Sequence, residues 1–336
     1  MTLQIGLIGA GRIGKLHAEN LVSRLSAANL AAIADTNLPE ARKTAQAFDI
    51  SQATDDYRQL LNNPDIDAIF ICSSTDTHAQ IIEEAVAARK HIFCEKPIDF
   101  DLDRVKHLID LIDQSGIKFQ LGFNRRFDKN FQKLHQQLRN EKLGQPHLLR
   151  ITSRDPAPPP IEYIKVSGGI FLDMTIHDFD MARFLLNAEV SEVFAKGAIC
   201  IDPAIGEAGD YDTALVTLTF ENNVICTIDN SRQAPYGYDQ RIEVLADGGM
   251  IQVGNETEDR HVIFDKDGGH STKPLHFFIE RYTQSYLTET EMFINSVLND
   301  TPPPVNAYDG LMALKIGLAA TRSGRENRPV KLSEFE

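Results

Sequence analysis

Cysteine is sparse in this chain. Four occur among 336 residues, Cys72, Cys94, Cys200 and Cys226, and none forms a CxxC pair or sits beside histidines at zinc-binding spacing. That excludes a zinc ribbon and a disulfide framework, and no metal is expected. All four read as reduced and structural, with Cys72 and Cys94 ending apolar runs as small hydrophobes. Long apolar runs are missing too, since none reaches the roughly 18 residues of a membrane span. The opening MTLQIGLIGAG has no basic region ahead of an apolar stretch and no small-residue cleavage site, so it reads as strand and loop rather than a secretory signal. Positive charge is scarce: 34 Lys and Arg against 48 Asp and Glu leave a formal net charge of -14. Such a chain lacks the basic face that nucleic acid requires, and an anionic membrane repels it. Charge of this size fits a cytoplasmic enzyme kept soluble by repulsion. Repeats are absent, and the short PAPPP (156–160) is the only biased tract.

What remains is a globular composition, 42% hydrophobic and 24% charged, long enough for two cores. The first third alternates short apolar runs with helical patterns. Strands are expected at 3–11, 30–35, 67–74, 91–96 and 118–124, with helices at 13–25, 38–48, 77–90 and 101–116. This alternation predicts a doubly wound parallel sheet covered on both faces, a Rossmann domain over residues 1–124. Beyond it, LLRITSR, VFAKGAIC, ALVTLTF, VICTIDNSR and RIEVLADGGMIQVG alternate with period two and are separated by turn residues. They predict an open antiparallel sheet with helices on one face, in a second domain over 125–336. One continuous helix is expected over 169–186, and two more at 288–299 and 308–324, the last free to pack back on the first domain.

Three stretches carry chemistry. IGLIGAGRIG sets Gly9, Gly11 and Gly14 between a strand and a helix. This is the arrangement in which glycines permit a tight turn, close backbone approach to a pyrophosphate and helix–strand packing. The whole loop, Gly9, Ala10, Gly11, Arg12, Ile13 and Gly14, is a candidate cofactor cradle. Asp35 ends the next strand 21 residues after Gly14, where a carboxylate accepts from ribose hydroxyls and repels a 2′-phosphate. With no cation at Thr36 or Asn37, NAD is favoured over NADP. The plainer role for Asp35 is a helix N-cap, which Thr36 or Asn37 can equally fill. Ser73, Ser74 and His78 follow the third strand at the carboxyl edge where such sheets bind ligands; turn chemistry alone also explains the serines.

The second stretch is FCEKP, in which Pro97 keeps Lys96 out of helical geometry and fixes how the chain leaves it. The third is SGGIFLDMTIHDFDMARFL, where a continuous helix puts Asp173, His177 and Asp180 on one stripe. Carboxylates beside an imidazole suit a general base, and a solvated polar face suits the same pattern.

Together, GAGRIG with Asp35, FCEKP, GFNRRFD (122–128) and GGIFLDMTIHDFDMARFL resemble the glucose–fructose oxidoreductase and inositol dehydrogenase family. The order of motifs matches from residue 5 to about 325. SRDPAPPPIEYIKVSGGIF and HDFDMARF are similar to the inositol dehydrogenase branch. The resemblance implies a catalytic set of Lys96, Asp173 and His177, with Glu95 and Lys96 also near the cofactor, and a homotetramer. It implies NAD-dependent oxidation of a cyclic polyol, myo-inositol or a stereoisomer such as scyllo-inositol, to the inosose in inositol catabolism. Removal of a hydroxyl proton by His177, helped by Asp173, and stabilisation of the developing oxyanion by Lys96 agree with that chemistry. Arg126, Asp155, Asp180 and Tyr236 are candidates to hydrogen-bond the polyol, and each equally suits a structural ion pair. Another sugar as substrate, or a non-catalytic NAD-bound sensor, stay open as alternatives.

Overall fold

The computed structural model describes residues 2–140 and 142–335. The chain forms two compact units. One runs up to Phe127 and takes in Gln284–Met312; the other comprises Asp128–Thr283 and the chain from Ala313 onward.

In the first unit, β1 (Leu3–Ile8) is followed by α1 (Arg12–Ser23), β2 (Ala28–Ala34) and α2 (Leu38–Ala47). Then come β3 (Gln52–Thr54), α3 (Arg58–Leu61), β4 (Ala68–Ile71), α4 (Thr75–Ala87), β5 (His91–Glu95), α5 (Leu102–Ser115) and β6 (Phe119–Gly122). The sheet runs β3-β2-β1-β4-β5-β6, and every pairing in it is parallel. Chain order reverses between β1 and β4, the place where doubly wound sheets bind ligands at the strands' carboxyl ends. Burial on both faces explains the unbroken apolar strands, since all four residues of β4 are buried. Local signals set the helix ends. Asp101 caps α5 by accepting from the Arg104 N–H, and Gly116 ends it in the left-handed region at φ 74°. Phe70 stacks on Phe93 at 4.6 Å, and Phe293 meets Phe70 edge-on at 5.5 Å. Phe293 lies in the returning segment, so residues distant in sequence complete this core.

The second unit opens with α6 (Lys129–Arg139), β7 (Pro146–Arg154), α7 (Ile161–Ile164), α8 (Gly169–Asp173) and α9 (Ile176–Leu186). It continues with β8 (Val190–Ala198), α10 (Pro203–Glu207), β9 (Thr213–Phe220), β10 (Ile225–Ser231), β11 (Asp239–Ala246), β12 (Gly249–Val253) and the hairpin β13 (Val262–Asp265) and β14 (Gly268–Ser271). Two long helices, α11 (Phe278–Leu298) and α12 (Ala307–Glu326), and the short β15 (Val330–Lys331) end the chain. The sheet order is β12-β11-β7-β10-β9-β8-β15. It is antiparallel except for β7 and β10, which run parallel from Leu148 against Ile225 to Arg154 against Ser231. The expected antiparallel sheet is present, with this one parallel pair inside it. A parallel pair needs a long crossover, and the chain between β7 and β10 supplies one through α7, α8, α9, β8, α10 and β9.

Alternation along β7 buries Leu149, Ile151 and Ser153 beneath α9, while Leu148 and Arg150 face outward. The same outward face carries exposed Phe194, Leu215, Ile225 and Leu245. The helix expected over 169–186 is corrected: it breaks at Met174–Thr175 into α8 and α9. At the break, the N–H of Met174 and that of Thr175 both end on the Ile170 carbonyl, at 3.1 and 2.9 Å. The Thr175 hydroxyl reaches Asn230 Oδ1 on β10 at 2.7 Å. Sequence reading passes over α6, although Phe131, Leu134 and Leu138 form its buried stripe and Asp128 caps it. It also starts α11 ten residues late.

Candidate active site

The turn after β1 is built for close approach. Gly9 has φ 100°, and a Cβ there would sit 2.5 Å from the Cys72 main chain. A Cβ on Gly14 would come within 1.9 Å of the Gly9 carbonyl oxygen, whereas one on Gly11 would meet nothing within 4 Å. Two glycines are therefore required by the protein itself, and the third leaves open space at the start of α1. That helix begins without a side-chain cap and without an acidic residue in its first turn, which leaves N–H groups and the positive end of its dipole for an anion. Arg12 is exposed at its first position and Ile13 half-buried beside it. Asp35 Oδ2 accepts from the Ala10 N–H at 2.6 Å, and its Oδ1 accepts from the Asn37 N–H at 2.8 Å. The carboxylate at the end of β2 is thus tied to the glycine turn itself. These groups fit a dinucleotide: a pyrophosphate at the α1 terminus and a ribose at Asp35.

Around the ends of β4 and β5, Ser73 Oγ lies 2.7 Å from Thr77 Oγ1, and Ser74 precedes α4 with no side-chain cap bond, its carbonyl accepting from the Thr77 N–H at 2.9 Å. His78 is buried. Its Nδ1 is 2.8 Å from the Pro97 carbonyl and its Nε2 3.0 Å from the Ser73 carbonyl. It ties the loop after β4 to the loop carrying Lys96, and burial pushes its pKa down. Both ring nitrogens therefore end on main-chain oxygens. Lys96 is half-buried directly after β5, and the Lys96–Pro97 peptide bond is cis.

Glu95 turns inward. Its Oε1 is 2.9 Å from His17 Nε2, while His17 Nδ1 is 3.1 Å from Thr290 Oγ1. Thr290 gives its own proton to the Tyr286 carbonyl, so its oxygen accepts from His17 Nδ1–H, and Nε2 then faces Glu95 at hydrogen-bond distance. With Glu289, fully buried, these residues bring three possible metal-ligand atoms within 4.8 Å of one another. The 2.9 Å separation of His17 and Glu95 is that of an ordinary hydrogen bond. Burial, and next the charge of Glu95, hold the Glu289 carboxyl protonated well above its ordinary range. Sequence reasoning did not single out His17 or Glu289, because only the fold brings α1, β5 and α11 together.

In the second unit, Asp173 ends α8 and His177 lies in the first turn of α9, both half-buried. They stand on consecutive helices, so the stripe expected of one continuous helix is divided between two. Asp180 follows His177 by three residues on α9 and is 1% exposed. The start of α9 is pinned by groups that sequence reading missed. The Ser153 hydroxyl donates to Asp178 Oδ1 at 2.6 Å, and Asn230 Nδ2 donates to Asp178 Oδ2 at 2.9 Å. Asp178 is wholly buried, so its charge depends on these donors and on the helix terminus. They fix the turn on which His177 stands. Asp155 directly follows β7, and its backbone bonds Ser231 and Ala234. Tyr236 donates to Asp239 Oδ2 at 2.7 Å and accepts from Arg154 at 3.1 Å. Arg126, in the first unit, pairs with Asp309 at 2.8 Å.

A 3-2-1-4-5-6 parallel sheet with this glycine turn and a carboxylate just after β2 is the architecture of a dinucleotide-binding oxidoreductase domain. Comparison with known proteins narrows the class. Residues 3–123 match the family model described as an oxidoreductase family with an NAD-binding Rossmann fold, and residues 131–252 match the GFO/IDH/MocA C-terminal domain. The chain belongs to the GFO/IDH/MocA oxidoreductases. It is 48% identical over 332 residues to the myo-inositol 2-dehydrogenase of Thermotoga maritima, covering 99% of each chain. It is 45% identical over 334 residues to the inositol 2-dehydrogenase of Rhizobium meliloti, covering 99% of this chain and 100% of that one. Among solved structures it is similar to scyllo-inositol dehydrogenase of Lactobacillus casei with bound NAD(H) and scyllo-inositol, at TM-score 0.93 and 32% identity over 99% of this chain and all of that one.

Proposed function

We propose that the protein oxidises a secondary hydroxyl of an inositol, myo-inositol or a stereoisomer such as scyllo-inositol, to the inosose with NAD. The observation that carries this reading is the Asp35-tied glycine turn in the same chain as Lys96, Asp173 and His177, supported by full-length relatives named as inositol dehydrogenases. NAD, when bound, accepts the hydride from the hydroxyl-bearing carbon. Gly9, Ala10, Gly11, Arg12, Ile13, Gly14 and Asp35 hold it, with Ser73 and Ser74 beside it and His78 fixing their loop. Neutral His177 takes the hydroxyl proton at an imidazole nitrogen. Asp173 steadies the resulting imidazolium, and the Lys96 ammonium stabilises negative charge as it develops on the oxygen. Asp155, Asp180, Arg126 and Tyr236 supply polar groups around the ring.

We read the protein as cytoplasmic and catabolic. Its outward sheet face, with Leu148, Phe194, Leu215, Ile225 and Leu245 exposed, is the surface for self-association into a homotetramer. A panel of inositol stereoisomers and aldoses, each with NAD, tests the substrate through growth of the reduced-nicotinamide absorbance. An aldose preferred over every inositol moves the reading to another sugar. NADH binding without turnover of any of them makes the protein a sensor.

A further inference from the structure

The stretch PAPPPIEYIKV (156–166) is given no part in the proposed reaction. Its proline run ends at Pro160, the cap of α7, and α7 carries Tyr163. The Tyr163 hydroxyl donates to Asp173 Oδ1 at 2.8 Å. Against the other carboxylate oxygen, Arg232 Nη1 lies 3.6 Å from Asp173 Oδ2. Arg232 is 1% exposed, and its Nη2 stands 3.2 Å from Asp210 Oδ2. Asp210 Oδ1 in turn accepts from the Ile170 N–H at 2.8 Å, in the helix that Asp173 ends. The approach is close enough that a Cβ on Gly169 would lie 2.8 Å from Asp210.

One buried guanidinium thus serves two carboxylates, and both carboxylates belong to or brace α8. A desolvated arginine is stable only while paired, so Arg232 stays anchored between Asp173 and Asp210. On the other side, Tyr163 faces Asp173, Arg232 and Asp155. Burial and the Asp173 charge push its phenol well above the usual range, which keeps it a donor.

We infer that Tyr163 and Arg232 are positioning residues that lock Asp173 in one orientation, leaving His177 the proton acceptor of the pair. This rests on the roles proposed above for Asp173 and His177. It also gives the proline run a purpose, which is to place a phenol that the helix break alone cannot place.

Two variants with opposite expected shifts test it in the full-length protein. Tyr163→Phe removes one hydroxyl and keeps the ring. Its kcat for inositol falls about tenfold while KM for NAD stays within about twofold. The acid limb of its kcat/KM profile moves to higher pH, because an Asp173 relieved of its donor holds the imidazolium more strongly. Asp210→Asn still accepts from Ile170 but leaves Arg232 to Asp173 alone, so the same limb moves to lower pH. Limbs unmoved in both variants, or a Tyr163→Phe enzyme with normal kcat and a raised KM for inositol, overturn the inference. The parent enzyme separates the two failures. Parent activity with unmoved limbs sinks only the positioning role, and a parent inert toward every inositol sinks the proposed function and this inference with it.

Discussion

The two units of this molecule assemble polar groups in opposite ways. In the first, the groups proposed for the chemistry sit on backbone and on residues close in sequence: the Gly9–Gly14 turn, Asp35 at the end of the neighbouring strand, and Lys96 directly after β5. In the second, the residues around Asp173 and His177 come from α7, α8, α9, β7 and β10, joined by tertiary hydrogen bonds and an ion pair. A dinucleotide site can be built from a turn and a helix terminus, because main-chain N–H groups do the binding. A proton-transfer site needs side chains held at fixed orientation, and that takes buried partners from several elements.

The largest effect expected from this contrast falls on the turn. Gly14→Ala puts a methyl group 1.9 Å from the Gly9 carbonyl oxygen, so NADH affinity should drop by more than about 100-fold in a fluorescence titration. Retained affinity would show that the turn is not the cradle. Next is Lys96→Ala, which should lower kcat by about 10²–10³-fold with little change in NADH affinity, since its charge matters only as the oxyanion forms. Lys96→Arg should recover only part of that loss, because a forked guanidinium does not replace a compact ammonium. Asp35→Ser is milder. It should raise KM for NAD and narrow the NAD-to-NADP preference by roughly 10-fold or more. Equal kcat/KM for both cofactors in the parent enzyme would contradict the role given to Asp35.

How much could be read from sequence follows the same divide. The first sheet, its glycine turn and Asp35 were legible because each signal is local: apolar runs of strand length, glycines at fixed spacing, an acid after the second strand. The break between α8 and α9 was not. GIFLDMTIHDFDMARFLL is helical in pattern throughout, and the bonds of Thr175 and Asp178 to β7 and β10 are what divide it. The parallel pairing of β7 with β10 was hidden for a similar reason, since period-two alternation fixes a face but names no neighbour. The β13–β14 hairpin is exposed at every position and offers no alternation to read. In contrast, α6 was legible and overlooked: Asp128 caps a clear apolar stripe.

The smallest expected effect concerns Glu289, buried in the first unit and holding its proton well above the ordinary value of 4.5. A carboxyl whose folded pKa is raised binds its proton more tightly folded than unfolded. Stability therefore falls as pH rises from about 4.5 through the folded value, and is regained on acidification. Glu289→Gln, neutral at every pH, should remove that loss. Its Tm should exceed that of the parent at pH 8 by about 1–2 °C, for roughly 1 kcal/mol in a chain of this size, and by less at pH 5. A gain that is equal at both values would mean that Glu289 does not titrate as its burial requires.

The most direct test of the division between the units is His177→Asn, measured twice on one preparation. NADH binding should keep the affinity of the parent, because the cofactor groups lie in the other unit. Turnover of myo-inositol with NAD should fall by about 10²–10⁴-fold, and the residual rate should lose the rise with pH that a neutral imidazole base imposes. Turnover and pH profile unchanged from the parent would contradict this account and leave His177 a structural residue.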